Sequence, residues 1–421
     1  MPKPIRIVST FSLSLIFCFF CLVGRAQEGQ MLFGFQMDPE RDRITIPFQM
    51  LSNLMVIELT LNDQLPLKFV VDSGVRTPIL TDKYLSDVVR ISYDREIELY
   101  SAGAQGMAVA YIAHNVDLSL PGGIRADNQS IYVLKEDFIG LSEVLGEKVH
   151  GVIGYDLFRD FVVSVDYSEY EITFTRPDKF RPHRFATSYP LSIENYKAYM
   201  ETEVKLPNGA TETLKLLLDT GASHALWLDP LEDSTQSQLP ETTFATLVGR
   251  GLSGEINGHL GRIEQLTMGK YGFENVLTSF PLRSEYYDIV RGTGRDGSLG
   301  SEVLRRFHVT FDYTHKTLYL LRNNYYDDDF DFNMSGLNVV RDLTTAIPGF
   351  VVDKVIEDSP AGEAGLMEGD IILNLNGTSY KQLSLNGIHL LLKAREGKRI
   401  RITVLRNGTE IKKEFRLRSL I

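Results

Sequence analysis

One string of residues occurs twice in this chain and constrains it more than anything else. Phe69-Val70-Val71-Asp72-Ser73-Gly74 is the first copy, and Leu216-Leu217-Leu218-Asp219-Thr220-Gly221 is the second. An apolar run of this length reads as a buried strand. A carboxylate at its end is costly to bury without a partner. Each copy brings one carboxylate, and the obvious partner for either is the other. The competing reading is a strand followed by an ordinary Asp-Gly type turn.

A second matched pair makes the turn reading hard to sustain. Gly151-Val152-Ile153-Gly154 leads into Tyr155–Phe161, and Gly297-Ser298-Leu299-Gly300 leads into Ser301–Phe307. Both continue into alternating strands ending Asp-Tyr, at Asp166-Tyr167 and Asp312-Tyr313. The offset between copies barely drifts, so the segment is a duplication. Each copy is rich in short strands, with helical signal only around Tyr155–Arg159 and Ser301–Arg306, and so reads as an all-β lobe. Each also has a glycine-rich hairpin about 30 residues past its aspartate, Leu99–Gly106 and Val248–Gly254. Such a hairpin is either a surface turn or a flap that closes over a substrate.

The N-terminus reads as a secretory signal. Lys3 and Arg6 precede an apolar run from Ile7 to Val23, and Gly24 and Ala26 are spaced as a peptidase site requires. Cleavage is expected near Ala26. An uncleaved anchor is the alternative, and a lipoprotein a weaker one because Cys21 follows two phenylalanines. Cys18 and Cys21 are the chain's two cysteines, so the exported part has no disulfide, no cysteine nucleophile and no cysteine-ligated zinc. The expected destination is the periplasm or the medium, with or without attachment to the envelope. The net charge of -11 disfavours nucleic acid as a partner. The eight histidines show no close metal spacing, and neither metal nor cofactor is expected.

With these strings in place, the chain resembles the aspartic proteases over residues 44–322, twice. The compact lobes resemble retroviral-type proteases in tandem, and the single-chain layout resembles pepsin. Asp219-Thr220-Gly221-Ala222-Ser223, followed by Leu226-Trp227, is similar to pepsin's Asp-Thr-Gly-Ser-Ser…Leu-Trp. The resemblance implies a mainly β fold of two retropepsin-like barrel lobes, 40–180 and 185–323, after a signal peptide at 1–26. It implies that Asp72 and Asp219 are a catalytic dyad sharing a proton and activating water. Gly74 and Gly221 would let backbone N–H groups approach the carboxylates, and Ser73 and Thr220 would tie the lobes together. Tyr100, Gly103 and Gly251 would belong to substrate-binding flaps. The residues after the motif glycines, Val75 and Ala222, stand where pepsin-like enzymes have a hydroxyl. Losing that hydrogen bond should raise the carboxylate pKa and give an optimum less acidic than pepsin's.

Beyond the repeat, Arg322 to Asp331 is acidic and aromatic, and residues 324–335 read as a solvated linker. Ser359-Pro360-Ala361, Ala364-Gly365-Leu366 and Gly369-Asp370 then resemble a bacterial PDZ domain, spanning 336–421. The resemblance implies an α+β domain that takes a protein C-terminus as an added strand. Its carboxylate-binding loop would be Ile347-Pro348-Gly349-Phe350. The leading reading is an exported aspartic endopeptidase acting on peptides or unfolded proteins, with the PDZ domain recruiting C-termini. A catalytically inactive peptide-binding protein on the same scaffold is the alternative. A serine protease is disfavoured, because Ser73 lacks the context of a trypsin-like nucleophile.

Overall fold

The computed structural model describes residues 34–421 except 102, 105, 231–238, 285–286, 288–292 and 344–348. The signal segment therefore lies outside the described residues. The rest has the expected mainly β, two-lobed architecture with a C-terminal PDZ domain.

In the first lobe, strand Leu65–Val71 lies at the middle of a nine-stranded sheet. It pairs antiparallel with Leu54–Leu61 on one side and parallel with Gly151–Ile153 on the other. Strand Thr211–Asp219 is its counterpart in the second lobe, between Lys197–Lys205 and the parallel Gly297–Gly300. The strands are central because their side chains are apolar on both faces: Phe69, Val70 and Val71, like Leu216, Leu217 and Leu218, are buried. In each lobe a further strand pairing, Met107–Leu120 with Ile124–Leu134 and Lys197–Lys205 with Gly254–Met268, curls the sheet towards a barrel.

A six-stranded sheet joins the lobes. Val162–Asp166 and Phe307–Asp312, the alternating strands of the two copies, lie side by side at its centre. Ser164 and Thr310, equivalent in the repeat, share a hydroxyl hydrogen bond of 2.8 Å. One continuous apolar core runs through both lobes and this sheet, with Phe158, Phe174, Phe307 and Phe311 fully buried.

Helices follow both Gly motifs, at Tyr155–Asp160 and Ser301–Leu304. Two more were not expected, Lys83–Val88 and Leu141–Leu145. The first is a short helix capped by Asp82, whose carboxylate accepts from Tyr84 N. The second is set between Gly140 and Gly146, both in the left-handed region. Neither is long enough for apolar periodicity to reveal it.

The PDZ domain has its own core, including Phe350, Leu366, Ile388 and Ile402. Its strands run in the order Leu337–Asp342, Gly349–Val355, Ile371–Leu375, Arg399–Arg406, Thr409–Arg416. Pro360 opens a short helix that Ser359 caps, and Asn376-Gly377 and Asn407-Gly408 turn hairpins with positive φ at both residues.

The segment after the repeat departs from expectation. It connects the domains, yet it is packed rather than solvated: Tyr326, Phe330 and Phe332 are buried. The reason is Arg306, which is wholly buried. Its guanidinium donates to the carbonyls of Asp328 and Asp329, the latter at 3.1 Å, and stacks 3.8 Å from the Phe330 ring centre. The aromatic residues of the segment fill the core, and the aspartates flank them.

Candidate active site

The two central strands end in adjoining loops. Asp72 N donates to Ile153 O at 2.8 Å, so the parallel neighbour fixes where the first aspartate leaves the sheet. Ser301 does the same for the second loop, its N donating to Ala222 O at 2.7 Å and its hydroxyl to Thr220 O at 3.0 Å. The Gly motifs beneath need to lack side chains. A Cβ on Gly154 would fall 1.7 Å from Asp72 O, and one on Gly300 would fall 2.2 Å from His224 O.

Ser73 and Thr220 cross between the loops in a reciprocal grip. Ser73 N donates to Thr220 Oγ1 at 2.9 Å, and Thr220 N donates to Ser73 Oγ at 3.0 Å. Each hydroxyl passes its own hydrogen to the opposite strand, Ser73 Oγ to Leu218 O at 2.6 Å and Thr220 Oγ1 to Val71 O at 2.8 Å. Both side chains are fully buried, so these four bonds satisfy groups that water cannot reach.

Asp72 and Asp219 come together between the loops: a Cβ on Gly74 would lie 3.1 Å from Asp72 Oδ1 and 3.7 Å from Asp219 Oδ1. Gly74 N donates to Asp72 Oδ1 at 2.6 Å, and Gly221 N donates to Asp219 Oδ1 at 3.0 Å. A Cβ on Gly221 would lie 2.1 Å from Asp72 Cγ, so glycine is what admits the other carboxylate. Burial raises the pKa of Asp72, and the charge of Asp219 raises it further; the Gly74 N–H and Lys197 oppose this without reversing it. Burial also raises Asp219, against Arg295, the Gly221 N–H and Lys197. Arg295 thus favours the charge on Asp219, and that charge favours the proton on Asp72.

Sequence reasoning missed the two cations. Lys197 follows the tight Asn195-Tyr196 turn, both residues at positive φ, and Arg295 holds Asp229 through two bonds of 2.7 and 2.9 Å. They lie 22 residues before and 76 after Asp219 in a pattern no local string announces. His224, beside them, is not a base. Burial, and then Arg295, push its pKa down to about 3, and it hydrogen-bonds Ser298 at 3.0 Å.

Both glycine-rich hairpins are in place over the dyad, and they meet. Ser253 N donates to Ser101 Oγ, and Ser253 Oγ to Ser101 O, each at 3.0 Å. Ser253 is fully buried there. Gly103 lies against it, with room for no side chain: a Cβ would be 2.6 Å from the Ser253 backbone. Gly251 pairs with Gly254 at the turn of the second hairpin and lines the cavity. Tyr100 is not brought to the site. Strand alternation turns it outwards, 62% exposed, while its neighbour Leu99 packs inwards towards Ile79 and Leu134.

The cavity has a volume of about 710 Å³. Asp72 and Asp219 line one part, and the PDZ strand Leu337–Asp342 and helix Leu385–Leu392 line another. The PDZ domain is fixed to the hairpin of lobe 2 by Arg250–Asp353 at 2.8 Å and Lys354–Glu255 at 3.1 Å. Lobe 1 meets it through Arg341 Nη1, which donates to Gly146 O at 2.7 Å.

The expected carboxylate-binding loop needs correction. Ile347 and Pro348 lie outside the described residues. Gly349 pairs with Asp342, and Phe350 is buried in the PDZ core. Strand Gly349–Val355 is paired on both edges, so it has no edge to offer a peptide. The end strands of this sheet are Leu337–Asp342 and Thr409–Arg416, and helices Leu385–Leu392 and Leu141–Leu145 both pack on the former.

Val75-Arg76, odd after an Asp-Ser-Gly motif, has a structural use. The Arg76 guanidinium stacks 3.9 Å from the ring centre of Tyr196, in the other lobe. Among the described residues, no cluster of three or more histidines and carboxylates could hold a metal ion.

Comparison with known proteins agrees with this geometry. The aspartyl protease family model matches residues 57–157 and 202–303, one segment in each lobe, and the PDZ domain model matches residues 327–417. Among solved structures, the chain is similar to the aspartic proteinase from Irpex lacteus, at 15% identity and a TM-score of 0.44, over 68% of this chain and 99% of that one. No curated protein matches its sequence. The chain thus matches the aspartyl protease model once in each lobe, followed by a PDZ domain.

Proposed function

We propose that the chain is an aspartic endopeptidase that Asp72 and Asp219 make active, exported and released by cleavage near Ala26. The observation that carries this is the placing of two half-buried carboxylates side by side by the Ser73–Thr220 grip, with hairpins that meet at Ser101 and Ser253. Water held between them loses a proton to Asp219, the charged member, as it attacks the peptide carbonyl. Asp72 donates its proton towards the carbonyl oxygen. Collapse of the tetrahedral intermediate breaks the C–N bond, with a proton passed to the leaving amine. No metal or organic cofactor is called on. Peptides and unfolded proteins fit such a cleft, because an extended chain can pass beneath the hairpins. The PDZ domain would recruit them by strand addition.

The pH dependence follows from the charges. The rate rises as Asp219 ionises and falls as Asp72 loses its proton. Burial raises both groups, so the optimum lies above pepsin's range, and a maximum below about pH 3 would overturn the assignment.

The test is cleavage of a diverse peptide library by the mature protein, read by mass spectrometry from about pH 3 to 8, with Asp219→Asn in parallel. Cleavage that the variant lacks supports an aspartic endopeptidase. Peptide binding without cleavage by either protein makes the chain a binding protein on this scaffold.

A further inference from the structure

The chain as a whole is acidic, with a net charge of -11, yet among the described residues the lining of its cavity is not. Beyond Asp72 and Asp219, the charged side chains among the described lining residues are Lys197, Arg250, Arg295, Lys354 and Lys393. Three of these are spoken for: Arg250 by Asp353 and Glu255, Arg295 by Asp229, and Lys354 by Glu255. Lys393 lies at the far PDZ end, in the field of Asp331.

Lys197 is different. It is half-buried and faces the cavity, and its ammonium makes no hydrogen bond or ion pair with any described residue. The charged groups that act on it are Arg295 on one side and Asp219, Asp72 and Asp229 on the other. The dyad carboxylates accept instead from the N–H groups of Gly74 and Gly221. An ammonium that faces the cavity with no acceptor among the described residues is open to pairing with an incoming anion. A carboxylate gives it a charge-assisted hydrogen bond in a site that water leaves when the hairpins close.

We propose that Lys197 is the receptor for a substrate carboxylate, so that the cleft selects peptides with an acidic group beside the scissile bond. The group is either an Asp or Glu side chain or the free C-terminus of the substrate. The inference rests on the reading that peptides occupy this cleft, and it deepens that reading by naming their chemistry. The burial of Lys197 and its nearness to Arg295 lower its pKa from the usual lysine value, which makes the unliganded site ready to gain from an anion.

The probes are octapeptide pools in which Glu is exchanged for Gln at each position in turn, and the terminal carboxylate for an amide. Each pool is measured twice on the full mature chain: as kcat/KM, and as equilibrium binding to the Asp72→Asn protein. Expected is a preference of roughly ten-fold or more for the acid over its amide at one position. In Lys197→Met that preference falls to within about two-fold, and Lys197→Arg restores part of it. The position of the effect tells a side chain from a terminus. Equal handling of acid and amide throughout overturns the proposal, and so does a preference that survives Lys197→Met. A Lys197→Met protein whose pH profile moves while its acid-to-amide ratio stays also overturns it, and assigns the lysine to the dyad. Failure of wild-type cleavage would count against the endopeptidase alone, since the binding arm still decides the role of Lys197.

Discussion

The two lobes hold their aspartates on the same frame and surround them with different charge. In lobe 1, Asp72 has Val75 and Arg76 downstream, and that arginine is spent on Tyr196. In lobe 2, Asp219 lies in the field of Arg295 and Lys197, both from its own lobe. The helices after the Gly motifs diverge in the same manner. Lobe 1 ends its helix with Asp160, which accepts from Phe35 N at 2.7 Å and so holds the incoming chain. Lobe 2 has Arg306 at the equivalent place, and it holds the outgoing chain instead. Duplication supplied the symmetry that brings two carboxylates together. Divergence then gave each carboxylate its own charged neighbours and each lobe its own tether.

The sharpest way to break the comparison is to neutralise each aspartate in turn. Asp72→Asn and Asp219→Asn should each lower kcat by at least about 10³-fold. Thermal melts of both should not fall, since an amide is cheaper to bury than a carboxylate. Turnover retained by either variant in initial-rate assays would mean that the lobes do not act as a pair. Next in size is Arg306→Met, expected to cost about 3 kcal/mol in urea unfolding, because Glu302 loses a buried partner and the carbonyls of the strap lose their donor. The grip between the lobes comes third. Ser73→Ala and Thr220→Ala should each cost about 1–3 kcal/mol by leaving buried groups unpaired. The double variant should lose less than the sum, because the two hydroxyls serve each other; strict additivity would show that they do not. Ala222→Thr restores a hydroxyl beside the dyad in lobe 2. It should move the acid limb of the kcat/KM profile down by up to about one pH unit, since a donor to the charged form lowers a carboxylate pKa. Arg76→Ala is the mildest, at about 0.5–1 kcal/mol, and calorimetry on the purified protein would resolve it.

What could be read from the sequence divides along a physical line. The dyad, its glycines and the Ser/Thr grip were legible because each is a local string and the string occurs twice. Gly103 and Gly251 were legible as hairpin glycines for the same reason. Tyr100 was misplaced because a single residue of parity decides which face of a strand it occupies. Lys197 and Arg295 were invisible, since their neighbourhood exists only when distant strands pair. The PDZ carboxylate-binding loop was named from a local string, whereas which strands lie at the ends of the sheet is settled only by the pairing of all of them. The strap was read as solvated from its aspartates, but its aromatic residues and the buried Arg306 outweigh them.

The contact of Ser101 with Ser253 has a consequence in time rather than in shape. Each lobe contributes one hairpin to it, so neither can lift alone without breaking bonds to the other. Entry to the cavity is therefore a joint event, open or shut, with its own lifetime. A chain that is already extended can use a brief opening. A folded protein has to unfold a stretch within the same interval, and its own stability sets how seldom that coincidence occurs. For the proposed endopeptidase, clients would thus be sorted by how often they unravel, before any side chain is recognised.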